Sequence, residues 1–147
     1  MKNNSALFYT CSLIEFIGRE QKLRRSELVT IMGEKTIDRI YRYADVFHCE
    51  PIEKTAADFI ALCNIPTGDF DNVAACRYTV PDYWTIGEVY ERLIEDVCGD
   101  EETRVVERLM EVYTSWMDAA LSNYNTDLYY QSREYLYVCY KEGKICP

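Results

Sequence analysis

Apolar residues in this chain recur at intervals of three and four positions, and they nowhere alternate with polar residues over a useful length. The pattern is clearest on one stripe formed by Ile86, Val89, Tyr90, Leu93, Ile94 and Val97. It repeats in the segments Leu7–Ile17, Ile37–Phe47 and Val105–Ala120. Because a half-buried strand needs a two-residue period, we expect an all-α fold, an irregular bundle of six or seven helices.

Proline and glycine interrupt the helical pattern most strongly in residues 65–81, which hold Pro66, Gly68 and Pro81. The chain is therefore expected to be a single domain, residues 1–147, with two packed lobes as the alternative. These lobes would be a four-helix N-terminal lobe (1–64) and a three-helix C-terminal lobe (82–147). After the interruption, Thr85 and Glu88 have the spacing of a capping box, which predicts a helix start at Thr85.

Nine large apolar residues lie near the centres of the predicted stripes. Hydrophobic residues make up 48% of the chain, enough to bury a core. The expected core is drawn from Leu13, Ile17, Ile40, Phe47, Phe59, Leu93, Val97, Leu109 and Trp116.

A single histidine, His48, restricts the chemistry that the chain can perform. Most general acid–base sites, catalytic triads and transition-metal sites use histidine. The six glycines are scattered, which excludes the closely spaced glycines of phosphate-binding loops, and no C-x-x-C occurs among the seven cysteines. We therefore expect no enzymatic activity, no cofactor and no bound metal, and we interpret His48 as a helix C-cap.

Charge and cysteine content indicate the class of partner and the cellular compartment. The net charge of −9 disfavours nucleic acid and anionic membranes as partners, although residues 1–48 carry +2 and residues 49–147 carry −11. Glu15 interrupts the apolar run Ala6–Ile17, so this run does not read as a signal peptide. Seven cysteines, an odd number without a disulfide pattern, favour a reducing cytoplasm.

The segment from Ser26 to Arg42 resembles a helix-turn-helix. Ser26 could cap a short helix over Glu27–Met32, Gly33 could form the turn, and a second amphipathic helix would follow. Lys35, Arg39 and Arg42 are the candidate nucleic-acid contacts. A DNA-binding regulator is thus the alternative function, although Glu34 and Asp38 lie on the same helix and would repel phosphate.

Tyrosine is concentrated near the C-terminal end of the sequence, where six of the 13 tyrosines fall between Tyr124 and Tyr140. In a helix spanning Thr126–Lys141, Tyr129, Tyr130, Tyr137 and Tyr140 would encircle the axis and could not all face one core. Tyrosine combines a large contact area with a polar tip and is enriched at interfaces. These four residues are the candidate interface of a regulatory or adaptor module that binds a protein or a second copy of itself.

The stretch Tyr43–Glu50, which follows an amphipathic helix, resembles a pattern in small bacterial helical domains of unknown function. In those domains an aromatic-containing helix ends in His, a hydroxyl residue and Glu, whereas this chain has Cys49 at the hydroxyl position. The resemblance covers about the first 60 residues. Some of those domains accompany ADP-ribosyltransferase-like proteins, so the resemblance implies an accessory or neutralising partner role and supplies no catalytic residue.

Overall fold

The computed structural model describes residues 2–147, and all regular structure in that range is helical. The all-α expectation is confirmed, but the described residues form nine α-helices rather than six or seven. They are α1 (Ser5–Gln21), α2 (Arg25–Arg42), α3 (Ala44–Phe47), α4 (Ile52–Cys63), α5 (Asn72–Ala75), α6 (Tyr83–Cys98), α7 (Val105–Tyr113), α8 (Trp116–Leu121) and α9 (Arg133–Glu142). Two 3₁₀ turns, Glu102–Arg104 and Leu128–Tyr130, precede α7 and α9.

The additional helices arise where predicted long helices are divided. Tyr43 has φ −110° and ψ 21°, outside the helical region, and separates α3 from α2. The predicted helix through Ala120 is broken after Tyr113, where the Ser115 hydroxyl accepts from the Met117 N–H at 3.2 Å and starts α8. Apolar spacing continues through both breaks, so periodicity alone does not reveal them.

The capping box predicted at Thr85 is wrong. Helix α6 begins two residues earlier, because the Asp82 carboxylate accepts from the Thr85 N–H at 2.7 Å and acts as the N-cap. Glu88, the other half of the predicted box, instead lies 3.2 Å from the Arg92 guanidinium on the helix surface.

Helix α1 lies at the centre of the fold and makes its largest contact with α6. Gly87 permits this close crossing, since a Cβ there would lie 2.1 Å from the Ser12 Oγ and 2.9 Å from its Cα. The buried apolar residues form one cluster that includes six of the expected core residues, Leu13, Ile17, Ile40, Phe59, Leu93 and Leu109. Phe47, Val97 and Trp116 are only half-buried and pack against that cluster.

Candidate functional site

The three candidate nucleic-acid contacts are all exposed on the second half of α2. Of these, Arg42 is paired with Asp38, with 2.7 Å between its Nε and the carboxylate Oδ2. Glu34 is exposed next to Lys35. The face therefore presents Lys35 and Arg39 as its cations without an ion pair among the described residues, interleaved with two carboxylates.

The turn of the predicted helix-turn-helix is a single residue. Gly33 has φ 82° and ψ 159°, and it is the one non-helical position within α2. Ser26 does not cap the first half of this helix, because α2 already starts at Arg25. Instead, the Ser26 N–H donates to the Asp118 carboxylate at 3.3 Å.

His48 ends α3 as a C-cap, as interpreted, and its Nδ1 lies 2.8 Å from the Asp45 carbonyl oxygen. The neighbouring Cys49 Sγ lies 4.0 Å from the same nitrogen. All seven cysteines are free. In residues 2–147, no three His, Cys, Asp or Glu side chains are grouped so as to hold a metal ion.

The four candidate interface tyrosines do not encircle one helix. Helix α9 begins only at Arg133, so Tyr129 and Tyr130 belong to the preceding 3₁₀ turn and not to the last helix. Tyr129 is buried and Tyr130 is 74% exposed. Tyr137 and Tyr140 are half-buried on α9 and pack against the core. The structure thus separates Tyr130 from the other three as an exposed ring.

Tyr130 lies at a groove formed by two irregular segments, residues 77–79 and 124–130. This tyrosine groove has a volume of about 940 Å³ and contains four tyrosines, Tyr78, Tyr124, Tyr129 and Tyr130. Tyr78 is 67% exposed, whereas Tyr124 and Tyr129 are buried and pack edge to face, with 5.8 Å between ring centroids. The groove therefore combines two exposed rings with two rings fixed in the core.

The Asn125 side chain joins the two segments of the groove. Its Oδ1 accepts from the Arg77 N–H at 2.7 Å, and its Nδ2 donates to the Ala75 carbonyl at 3.0 Å. Both ends of one amide are thus used, which holds the segment carrying Tyr78 in place against the segment carrying Tyr130.

Beneath the groove lies a buried charge cluster centred on Arg25. Its guanidinium Nε donates to the Asp118 carboxylate at 2.8 Å, and its Nη1 donates to the Glu15 carboxylate. A further hydrogen bond of 2.8 Å joins Nη2 to the Ser122 hydroxyl. The Tyr90 phenol donates to Asp118 at 2.6 Å. The cluster connects α1, α2, α6 and α8.

Tyr124 connects this cluster to the groove. Its phenol donates to the Glu15 carboxylate and accepts from the Arg25 Nη1 at 2.9 Å. Burial raises the pKa of the Tyr124 phenol, so it remains protonated and able to donate. The ring at the base of the groove is thus fixed by two buried ionic groups.

The positive charges of the cluster keep the Glu15 carboxylate ionised. Burial alone would raise the pKa of Glu15, but Arg25, Arg19 and the hydrogen bond from Tyr124 together lower it below the ordinary value. The Arg19 Nε lies 2.7 Å from Glu15, and its Nη2 donates to the Pro81 carbonyl at 2.7 Å. Two arginines therefore neutralise the two buried carboxylates, Glu15 and Asp118.

Sequence reasoning missed the groove and the cluster. Glu15 was visible as the one charge in an apolar run, and that position was the available signal for a buried ion pair. Asp118 and Arg25 gave no such signal, because each resembles an ordinary charge near a helix end. They are 93 positions apart and meet only in the fold.

Within residues 2–147, every helix is too short or too polar to cross a membrane. A scan against protein-family models finds no match, and searches of curated proteins and of solved structures likewise find no significant match.

Proposed function

We propose that this protein is a regulatory or adaptor module that binds another protein through the tyrosine groove. The observation that carries the proposal is the pair of exposed rings, Tyr78 and Tyr130, beside a base of buried rings. Large aromatic side chains dominate the free energy of many protein interfaces, and they do so best when their supports are already rigid. Here Asn125 and the charge cluster provide that support before any partner binds.

The rim of the groove has the mixed character of a protein interface. Arg77 and Asp127 place opposite charges on it, and Thr79 and Thr126 add hydroxyl groups. An apolar centre with a polar rim is the usual arrangement of such sites. The partner is a second copy of this chain or a different protein, and a sedimentation experiment separates these two cases.

DNA binding through the second half of α2 remains the alternative function. Lys35 and Arg39 are exposed with i, i+4 spacing, which favours contact with a phosphate backbone. The net charge of −9, the pairing of Arg42 with Asp38 and the exposed Glu34 support a protein partner instead.

A capture experiment with matched variants tests the two functions together. The tagged chain is incubated with native lysate from its source cells, with and without nuclease, and bound proteins are identified by mass spectrometry. The identified partner is then purified, and its affinity is measured by calorimetry. The variant is Tyr78→Ala/Tyr130→Ala, and the control is Tyr43→Ala, which removes an exposed ring outside the groove.

We expect the double variant to weaken binding at least about tenfold and the control to change it little. Sedimentation velocity of the purified chain over a range of concentrations tests self-association with the same variants. Equal affinity of both variants for the partner would contradict the proposal. Capture that disappears with nuclease and with Arg39→Ala would support the DNA-binding alternative.

A further inference from the structure

A second hollow lies where the first turns of α1 meet α3 and the start of α6, and it shares no residue with the tyrosine groove. This aromatic pocket has a volume of about 280 Å³. Its lining residues are Ser5, Ala6, Phe8, Tyr9, Ala44, Asp45, His48 and Trp84. The volume is just below the usual range for small-molecule sites and suits a ligand with one ring.

Aromatic rings form the main walls of the pocket. Phe8 and Trp84 lie 5.4 Å apart between ring centroids, at an interplanar angle of 34°. Tyr83 also packs against Trp84, with 4.9 Å between ring centroids, and helps to fix the indole. Ala6 and Ala44 contribute only methyl groups, which leaves space beside the rings. Such walls favour an apolar body, and their faces attract a cation.

The pocket has one carboxylate among its lining residues, Asp45. No ion pair joins Asp45 to a cation among the described residues. A second carboxylate, Glu50, acts on Tyr9 from nearby and raises the pKa of its phenol, although burial is the larger cause. The Lys54 ammonium group lies 3.3 Å from the Glu50 carboxylate and 3.0 Å from the Asp58 carboxylate, so one cation pairs with both acids. Residues 44–63, which supply the Asp45 and His48 side of the pocket, carry four carboxylates and one lysine, and this favours a cationic group on that side.

His48 adds a hydrogen-bond acceptor to the same pocket. Its Nδ1 lies 2.8 Å from the Asp45 carbonyl oxygen, and a carbonyl can only accept. In its neutral form the imidazole therefore carries its proton on Nδ1 and has a lone pair on Nε2. An ammonium group has three donors, which matches an imidazole nitrogen together with a carboxylate.

We propose that the aromatic pocket binds a small arylalkylamine, with the aromatic ring of the ligand against Phe8 and Trp84. Its ammonium group pairs with the Asp45 carboxylate and donates to the His48 Nε2. The ligand binds independently of any protein held in the tyrosine groove. No bond is made or broken, so the site is a receptor site and not a catalytic one.

Three probes with the same ring but different head groups test the proposal. They are 2-phenylethylamine, 2-phenylethanol and 3-phenylpropionate, and binding to the whole chain is measured by NMR chemical-shift titration at neutral pH. We expect the amine to bind with a Kd on the order of 1 mM or tighter, given its few non-hydrogen atoms. It should bind about tenfold tighter than the alcohol, with the carboxylate weaker still.

Variants locate the site and separate its parts. Asp45→Asn should reduce the affinity for the amine by about threefold to tenfold and leave that for the alcohol unchanged, because only the charge is removed. Asp100→Asn, an exposed carboxylate in the loop after α6, is the matched control. Ala6→Leu should fill the hollow and weaken all three probes.

The proposal remains testable even if Ala6→Leu does not fold, because Asp45→Asn keeps the shape of the side chain and removes only its charge. Equal binding of the three head groups would overturn it, as would tighter binding of the carboxylate. Absence of binding by the amine at about 10 mM would also overturn it. Unchanged amine affinity in Asp45→Asn would likewise overturn it, because the ammonium group would then be recognised elsewhere.

Discussion

At the scale of single residues, Arg25 is the side chain on which the interior most depends. It is buried and bonds Glu15, Asp118, Tyr124 and Ser122 at once. A buried salt bridge adds little net stability compared with apolar packing, but removing one partner leaves the opposite charge uncompensated. Arg25 is thus important mainly because its loss would leave buried carboxylates without a counter-charge, and less because of the strength of any one bond.

We expect Arg25→Met to lower the free energy of unfolding by about 3–5 kcal/mol, because Asp118 would remain buried without a cation. Urea unfolding at neutral pH measures this loss. Arg42→Met is the control, since it removes an arginine from an exposed pair and should change the stability little. Adding Asp118→Asn and Glu15→Gln to Arg25→Met should restore part of the loss, and no recovery would argue against an electrostatic cause.

Glu91 is a further buried acid and lies on α6, where Glu95, one turn later on the same helix, is also buried. Burial, with the neighbouring Glu95 carboxylate, raises the pKa of Glu91 to about 8. Glu95 itself accepts from the Asn4 N–H at 2.8 Å and lies 3.2 Å from the Arg133 guanidinium. Glu91 is therefore the member of the pair that holds a proton at neutral pH.

The raised pKa of Glu91 predicts a loss of stability in weakly alkaline solution. The unfolded chain releases this proton near the ordinary value of 4.5, whereas the folded protein retains it up to about pH 8. The stabilisation from Glu91 is thus complete below the unfolded pKa, declines as pH rises, and is lost above about pH 8. Thermal melts at pH 5 and pH 8.5 should show a smaller decrease in Tm for Glu91→Gln than for the natural chain. Glu134→Gln, an exposed carboxyl on α9, should behave like the natural chain.

At the scale of helices, the crossing of α1 and α6 is set by one glycine. Gly87→Ala would place a Cβ against the backbone of Ser12, so we expect destabilisation of about 1–3 kcal/mol or more. Gly18→Ala is the control, because its Cβ would meet the Leu23 carbonyl oxygen at an ordinary 3.5 Å. This control should hold or raise the Tm, since alanine favours helix. Chemical denaturation of both variants measures the difference, and equal stability would mean that the two helices can move apart.

Helices could be predicted from the sequence where a buried stripe is regular, as in α1, α4 and α6. Their ends were less predictable, because several polar residues compete to be the cap. Both Asp82 and Thr85 have suitable side chains, and the fold selects Asp82. The break at Ser115 was missed for a related reason, since a serine within an apolar stripe is compatible with either a cap or a continuous helix.

At the scale of the whole molecule, the buried apolar residues join α1 to partners distant in sequence. We expect the fragment 1–81 to be largely unfolded alone, because α1 would lose the surface it buries against α6. Mixing fragments 1–81 and 82–147 should recover helical signal in circular dichroism. A fully helical fragment 1–81 with its own cooperative transition would instead support two independent lobes.

The tyrosine groove could not be predicted because it depends on contacts between segments remote in sequence. Tyr78 and Tyr130 are 52 positions apart and both lie outside the long helices. The sequence shows the enrichment in tyrosine but predicts a single helix for it, whereas the fold buries Tyr129 and exposes Tyr130 next to a loop. Composition thus indicates that tyrosine forms the exposed surface, but only the tertiary structure determines which tyrosines are accessible.

The packing of α1 against α6 has a consequence for synthesis on the ribosome. After α1 is made, the 77 residues from Lys22 to Cys98 must follow before its main partner is complete. At cellular elongation rates this takes about 4–15 s. For that interval the face of α1 that packs against α6 has no native cover, so we expect it to be a target for nascent-chain chaperones. Codon choice between Lys22 and Cys98 would therefore affect the yield of folded protein, even though it changes no amino acid.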